Sequence, residues 1–493
     1  MKKILTLTAA AVMTLGAWAQ NEYFHVFRND DDFSSYKGAD VQSVTVAKGT
    51  TDFSTMIVTE TDGTVTKIPM SAIDSCQVRP YGLPEIYVYL TDYPDLTDLI
   101  KNPSAGFDKN TIYAATLHMD GNGMYKDLAE QTVEFRGRGN STWNMDKTPY
   151  RFKMAKKAAV CDLPKAKTFA LIANYIDCTL MRNTVALWVA NYLEMPYANH
   201  CVPVRVYLND NFKGQYMLTE KIGIGGGSVD IDEYKGLLFE LDSNYDEDFK
   251  FRYTWNSGGW QSYNLPVMVK DPDLTEICDS LGVTAAEYFS KWQSDFTTMA
   301  NAVTSRSASE SLADVLDLDQ AADFFLVNAL ANNHEMKHPK SLYIHKDSIG
   351  GDARYKFGPV WDFDWAFTYD GESYDGEQAS ATAALVTSNG DCSGYSFLKC
   401  LFANNEFRTI FKAKLDAFVA DGYPKLQAYM EEYANLIEPY AKENGLLWPG
   451  TTNVSWRKTV SSWNFRSNFA KLKTWIANRV AYMQSHKNYG LYE

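Results

Sequence analysis

Apolar and polar positions alternate with a short period from Tyr23 to about Tyr81. Val41 to Val46 and Thr55 to Val58 are rich in β-branched residues. Thr61-Asp62-Gly63-Thr64 separates Met56-Ile57-Val58-Thr59 from Val65-Thr66-Lys67-Ile68 as a tight turn would. The pattern predicts a small antiparallel β module over residues 20–82. From Leu83 onward further strands are predicted at Ile86 to Leu90, Thr111 to His118, Gln131 to Arg136, Tyr150 to Met154, Val202 to Leu208, Gln215 to Glu220 and Leu237 to Leu241. One helix interrupts them, Cys178 to Leu193, where Met181, Val185, Trp188, Val189 and Tyr192 share a face and Asp177 is the candidate N-cap. After Ile277 the period lengthens. Ala285 to Val303, Asp317 to Asn332, Ser396 to Phe418, Lys425 to Glu443 and Trp456 to Lys487 read as helices, with a short β patch at Ser341 to Ile344 and Tyr355 to Trp361. A strand-rich half (about 83–275) followed by a helix-rich half (about 276–493) predicts an α+β fold on a two-lobe plan.

The first residues change the picture of where the chain works. Lys2 and Lys3 precede the apolar run Ile4 to Val12, and Ala17-Trp18-Ala19 offers small residues at the positions a signal peptidase reads. Residues 1–19 therefore read as a secretory signal peptide, and the mature chain is expected outside the cytoplasm. No later stretch approaches the roughly 18 apolar residues of a membrane span. The phrase Ile68-Pro69-Met70-Ser71-Ala72-Ile73-Asp74-Ser75 resembles short β modules at the front of exported proteins of Bacteroidetes-type bacteria. A net charge of -14 disfavours nucleic acid as a partner, since the phosphate backbone calls for Lys and Arg surfaces. The seven cysteines are dispersed without CxxC or zinc-like spacing, although Cys392 and Cys400 could pair in an oxidising compartment.

Four stretches carry candidate chemistry. In Arg136-Gly137-Arg138-Gly139-Asn140-Ser141-Thr142-Trp143, glycines allow close backbone approach, and Arg138 with the downstream Lys153 could meet phosphate oxygens. A solvated turn is the plain alternative. Tyr216-Met217-Leu218-Thr219-Glu220-Lys221 ends an apolar strand with a charged pair, either a solvated strand end or a carboxylate orienting a phosphate-binding lysine. Gly358-Pro359-Val360-Trp361-Asp362-Phe363-Asp364-Trp365-Ala366-Phe367 sets two carboxylates in almost wholly apolar text, which is costly unless a cation or donors neutralise them. Mg²⁺ held by one or two carboxylates and substrate phosphates fits that chemistry; capping aspartates are the alternative. In Asn332-Asn333-His334-Glu335-Met336-Lys337-His338-Pro339-Lys340-Ser341 the i, i+4 histidines hint at zinc, but Pro339 breaks any helix there and polar loop residues explain them better.

In this order and spacing the four stretches resemble the CotH kinase family, over roughly residues 84–485. Arg138-Gly139-Asn140-Ser141-Thr142 is followed, as in the family, by a lysine-bearing strand, the helix carrying Arg182-Asn183, the strand ending at Glu220, an Asn-x-acid loop and Trp361-Asp362-Phe363-Asp364. The resemblance implies an atypical protein-kinase-like fold that binds ATP with Mg²⁺ or Mn²⁺ and phosphorylates serine of a protein substrate. It implies Asp362 as metal-binding aspartate with Asp364 as its companion. Arg138, Lys153 and Lys221 would then contact phosphates, with Glu220 positioning the lysine. The loop departs from the family: Glu335 stands nearest the place of an aspartate base, and Ser341 nearest that of an asparagine metal ligand, with one residue of extra spacing. The competing reading is a non-catalytic protein that binds a protein or a cell-surface polymer such as a glycan on the same scaffold, using Trp255, Trp260, Trp292, Trp448, Trp456 and Trp463. A glycoside hydrolase fits less well, because Asp362 and Asp364 would point alternately in a strand.

Overall fold

A computed structural model of the chain describes residues 3–4, 22–28, 33–48, 53–80, 82–256, 262–309, 311–368, 373–374, 377–378, 380–382, 392–449 and 465–486. Of the expected signal peptide only Lys3–Ile4 is described, as a two-residue strand beside Gln77 and Val78. The rest of that expectation lies outside the described residues, as do Trp260, Trp456 and Trp463. Among the described residues no helix is long and apolar enough to cross a membrane. The chain divides into two compact units, the first made of Met1–Gly137, Phe152–Asp162 and Val202–Tyr216, the second of Arg138–Arg151, Leu163–Cys201 and Met217–Glu493.

In the first unit the predicted β module is present. Glu22–Arg28 pairs antiparallel with Phe33–Lys37 and with Ile73–Pro80. Val41–Lys48, Phe53–Glu60 and Val65–Pro69 form a three-stranded antiparallel sheet. Alternation along these strands sends Phe24, Val26, Val44, Met56, Val58 and Ile68 into one small core. The turn at Thr61-Asp62-Gly63-Thr64 forms as the residue types dictate, with Asp62 Oδ1 accepting from the Thr64 N–H at 2.8 Å. The fully buried His25 lies against the turn at Gly123, which has φ +78° and where an added Cβ would sit 2.0 Å from His25 Cε1.

Seven strands close into a barrel in the order Leu128–Gly137, Tyr150–Ala158, Ala166–Ile172, Asn211–Glu220, Val202–Leu208, Glu85–Leu90, Tyr113–Asp120. Glu85–Leu90 pairs antiparallel with Tyr113–Asp120 and parallel with Val202–Leu208. Its burial alternates, with Ile86, Val88 and Leu90 inside, as a period of two requires. On the other face Tyr87 stacks on His118 and Tyr207, ring centroids 4.9 and 4.7 Å away, and Glu85 pairs with Arg205.

The second unit holds a five-stranded sheet in the order Lys250–Asn256, Ser262–Asp271, Leu237–Leu241, Leu342–Lys346, Lys356–Phe357. Its neighbours pair antiparallel. Leu237–Leu241 and Leu342–Lys346 are buried at every position, which explains their nearly unbroken apolar text. Strands from about 237–271 thus share a sheet with the β patch expected among the later helices. The helix Leu318–Ala331 is buried almost all round and packs on Arg182–Tyr192, Asn405–Ala417 and Phe465–Ser485. Asn332, in the left-handed conformation at φ 44°, ends it.

The α+β class holds, since helices and largely antiparallel sheets share the chain. One expected helix is divided for a local reason. The predicted helix from Ser396 to Phe418 is two helices, Ser393–Lys399 and Asn405–Ala417, because the Asn404 side chain caps a new start at the Phe407 N–H, 3.0 Å away. Cys392 and Cys400 flank the first of these at its opposite ends, and both thiols are free.

Gly123 tests how the β module is held. Gly123→Ala should cost about 1–3 kcal/mol in chemical denaturation, from its positive φ and the His25 clash together. Adding His25→Ala should recover the steric part of that loss, and additive losses would place the strain elsewhere.

Candidate active site

The site grows from a knot at the start of the helix Arg182–Tyr192. The Asp177 carboxylate accepts from the N–H groups of Thr179, Met181 and Arg182 at 2.8, 2.7 and 2.8 Å, and from Thr179 Oγ1 at 2.7 Å. With Leu180 at φ 56°, the helix starts four residues later than its apolar stripe suggests, and Asp177 caps it from outside the first turn. Arg182, fully buried, lies with Nε 3.7 Å from Asp177 and donates through a guanidinium N–H to the Asp364 carbonyl at 2.8 Å. The next residue, Asn183, works in both directions. Its amide donates to Asp364 Oδ1 at 2.6 Å, and its carbonyl accepts from the Phe363 N–H at 2.9 Å.

These bonds fix the Trp361–Asp364 segment, which is irregular and not a strand. Phe363 is fully buried, and Asp362 sits at φ 63°, a conformation aspartate tolerates better than most residues. The charge of Asp362 acts on Asp364. Burial, and then Asp362, push the Asp364 carboxyl up to about 7. Burial likewise raises Asp362, reinforced by Asp242 and opposed by Arg138 and Lys340. Arg138 also lies over the Trp361 ring, 5.4 Å from its centroid.

The loop after the helix Leu318–Ala331 brings a third carboxylate. Asn333 caps the short turn His334–Met336 by accepting from the Glu335 N–H at 3.1 Å. Glu335 is buried, its Oε2 has no hydrogen-bond partner among the described residues, and burial together with Asp362 holds it well above the usual carboxylate range. Ser341, at φ 52°, gives its N–H to Asp242 Oδ2 at 3.1 Å. Asp242 is the acid that sequence reading passed over. It stands just past the strand Leu237–Leu241, where Glu240 and Asp242 alternate with apolar residues, the same text that singled out Asp362 and Asp364.

Asp362, Asp364, Glu335, Ser341 and Arg138 thus belong to one unit and, with Asp242 and Lys340, to one electrostatic neighbourhood. The other candidates meet other partners. Lys153 is exposed on its strand and 3.8 Å from Glu134. Glu220 is buried and turns to His200, whose Nδ1 and N–H lie 2.7 and 2.9 Å from its carboxylate oxygens. Lys221 is exposed, with Asp271 nearby. Gly139 has φ +82°, and a Cβ there would meet Thr142 Oγ1 at 2.1 Å, so this glycine admits a neighbouring side chain of its own turn.

The donor set is all hard oxygen, as Mg²⁺ or Mn²⁺ prefers, and the partnerless Glu335 oxygen marks a place where positive charge is wanted. Among the described residues no three His, Cys, Asp or Glu side chains are grouped to hold a metal by themselves.

A family model described as CotH kinase protein matches residues 135–483, a span that includes every one of these acids. No curated protein matches the chain.

The pH dependence of the metal-free protein follows from the raised carboxyls. Near neutrality the folded state keeps a proton on Asp364 that the unfolded chain has released. That contribution is full below the ordinary aspartate value and is lost as pH rises through about 7. The melting temperature in chelator should therefore fall from about pH 5 to about pH 8, and Asp364→Asn should flatten the slope. A variant as steep as the parent would remove Asp364 from the account.

Proposed function

The chain belongs to the CotH kinase family, and from that membership and the site we propose that it transfers the γ-phosphoryl group of ATP to a serine of a protein substrate outside the cytoplasm, on an atypical protein-kinase-like scaffold. The observation that carries the reading is the electrostatic coupling of Asp362, Asp364 and Glu335 in a buried setting, with Arg138, Lys340 and Arg182 acting against their repulsion. Phosphoryl transfer asks a protein for positioning and charge neutralisation more than for covalent chemistry.

A bound Mg²⁺ or Mn²⁺ would neutralise the phosphate oxygens as charge develops on them. Asp362 is the residue to hold it, with Asp364 kept in place by Asn183 and Arg182. Arg138 stands on the Asp362 side and suits phosphate oxygens. Glu335 is the candidate base: the serine Oγ bonds to phosphorus, the bond from phosphorus to the bridging oxygen of ADP breaks, and the hydroxyl proton passes to the Glu335 carboxylate. Burial and the charge of Asp362 raise its affinity for a proton. Serving as second metal ligand would fall to Ser341, whose backbone is already tied to Asp242.

Thermal shift with ATP alone, Mg²⁺ or Mn²⁺ alone, and both should give the largest rise for both, because ligands that bind only the folded state stabilise it. Asp362→Asn should stay folded by circular dichroism and lower transfer from labelled ATP at least about a hundredfold. Glu335→Gln should lower it as well. An Asp362→Asn variant as active as the parent would refute the site. A parent that neither transfers phosphate nor shifts with nucleotide and metal would favour the binding-protein reading.

A further inference from the structure

Antiparallel pairing of Leu241 with Leu342 sets the residues just beyond them, Asp242 and Ser341, side by side. Asp242 is 5% exposed, and its carboxylate accepts from the Asn244 N–H at 2.7 Å and from the Ser341 N–H at 3.1 Å. Each oxygen thus carries one backbone hydrogen bond and keeps a lone pair. Asp242 is fixed from two sides before any ligand arrives.

Its charge acts on both Asp362 and Glu335, disfavouring ionisation of each. Lys340 acts on Asp242, Glu335 and Asp362, Arg138 acts on Asp362, and Arg182, which also lies beside Asp177, acts on Asp364. Glu335 is 4% exposed, and its Oε2 lacks a partner among the described residues, so a polar atom stands open to a ligand there. Backbone hydrogen bonds hold Asp242 in position but bring no net charge.

We propose that Asp242 is a second carboxylate of the divalent-cation site, acting with Asp362 from the end of the strand Leu237–Leu241. This rests on the phosphotransfer reading above and adds a protein ligand to it. Ser341 then acts through its N–H, which orients Asp242, and its hydroxyl is not required as a ligand. The strand Leu237–Leu241, buried at every position, makes this carboxylate a rigid part of the site, where the loop residues Glu335 and Ser341 depend on local turns.

The test is Mn²⁺ binding to the full chain, read by the electron paramagnetic resonance signal of the free ion, with and without a non-hydrolysable ATP analogue. Asp242→Asn should weaken Mn²⁺ affinity by about tenfold or more, since ligand charge sets the affinity of such sites. Asp242→Glu, which keeps the charge one methylene further out, should bind better than Asp242→Asn. A residue that served only as a hydrogen-bond acceptor would give the reverse order, because Asn keeps the size and one acceptor oxygen. Asp242→Asn binding Mn²⁺ as the parent does, while Asp362→Asn loses it, would overturn the role of Asp242 and leave the Asp362 site standing. A parent that binds no Mn²⁺ under either condition would overturn both.

Discussion

Like charges withdrawn from water resist being brought together, and the site of this protein is organised around that resistance. Burial is the largest cause raising the carboxyls of Asp242, Glu335, Asp362 and Asp364; Asp242 adds to it at Asp362 and Glu335, and Asp362 adds to it at Glu335 and Asp364. Such a cluster persists only when the scaffold holds it more firmly than repulsion drives it apart. The firmness comes from backbone and amide donors. Ser341 and Asn244 hold Asp242, Asn183 and Arg182 hold the Asp364 turn, and Asn333 holds the Glu335 turn.

The holders are themselves anchored. Arg182 can be fully buried because Asp177 stands against it, and Asp177 stays in place because it accepts four bonds from the turn it caps. A buried Lys147, bonded to the Ala173 carbonyl at 2.8 Å and to Asn444 Oδ1 at 2.8 Å, ties the segment after Arg138 to the long helix Tyr423–Leu447. Polar side chains placed this deep are costly unless satisfied, and each of these bonds answers that cost while fixing a geometry. The helix Leu318–Ala331, enclosed by three others, then sets where the Glu335 loop begins.

Little of this wiring shows in the local text. Asp177 is read as an ordinary helix cap, yet it reaches past the first turn to hold Arg182. Glu220 has the look of a lysine partner at a strand end, and in the fold it faces His200. Lys153 lies on a predicted strand, but period two puts it on the exposed side, 3.8 Å from Glu134. Each of these side chains has several partners within reach of its chain neighbourhood. For Lys153 and Glu220 the choice depends on residues about 20 positions away, Glu134 and His200.

The sequence by itself determined the β module and its turn, the α+β class, most strand positions and the unusual Asp362/Asp364 pair. Those follow from period, turn chemistry and the cost of charge in apolar text, all of which act over a few residues. Tertiary structure alone decided that seven strands close into a barrel and that residues 237–271 share a sheet with 342–357. It also decided that Asp242 lies beside Ser341, because pairing register is set by burial across strands 99 residues apart and not by either segment. The carboxylates are legible one at a time. Their assembly is a property of the fold, since only packing can hold like charges at close range.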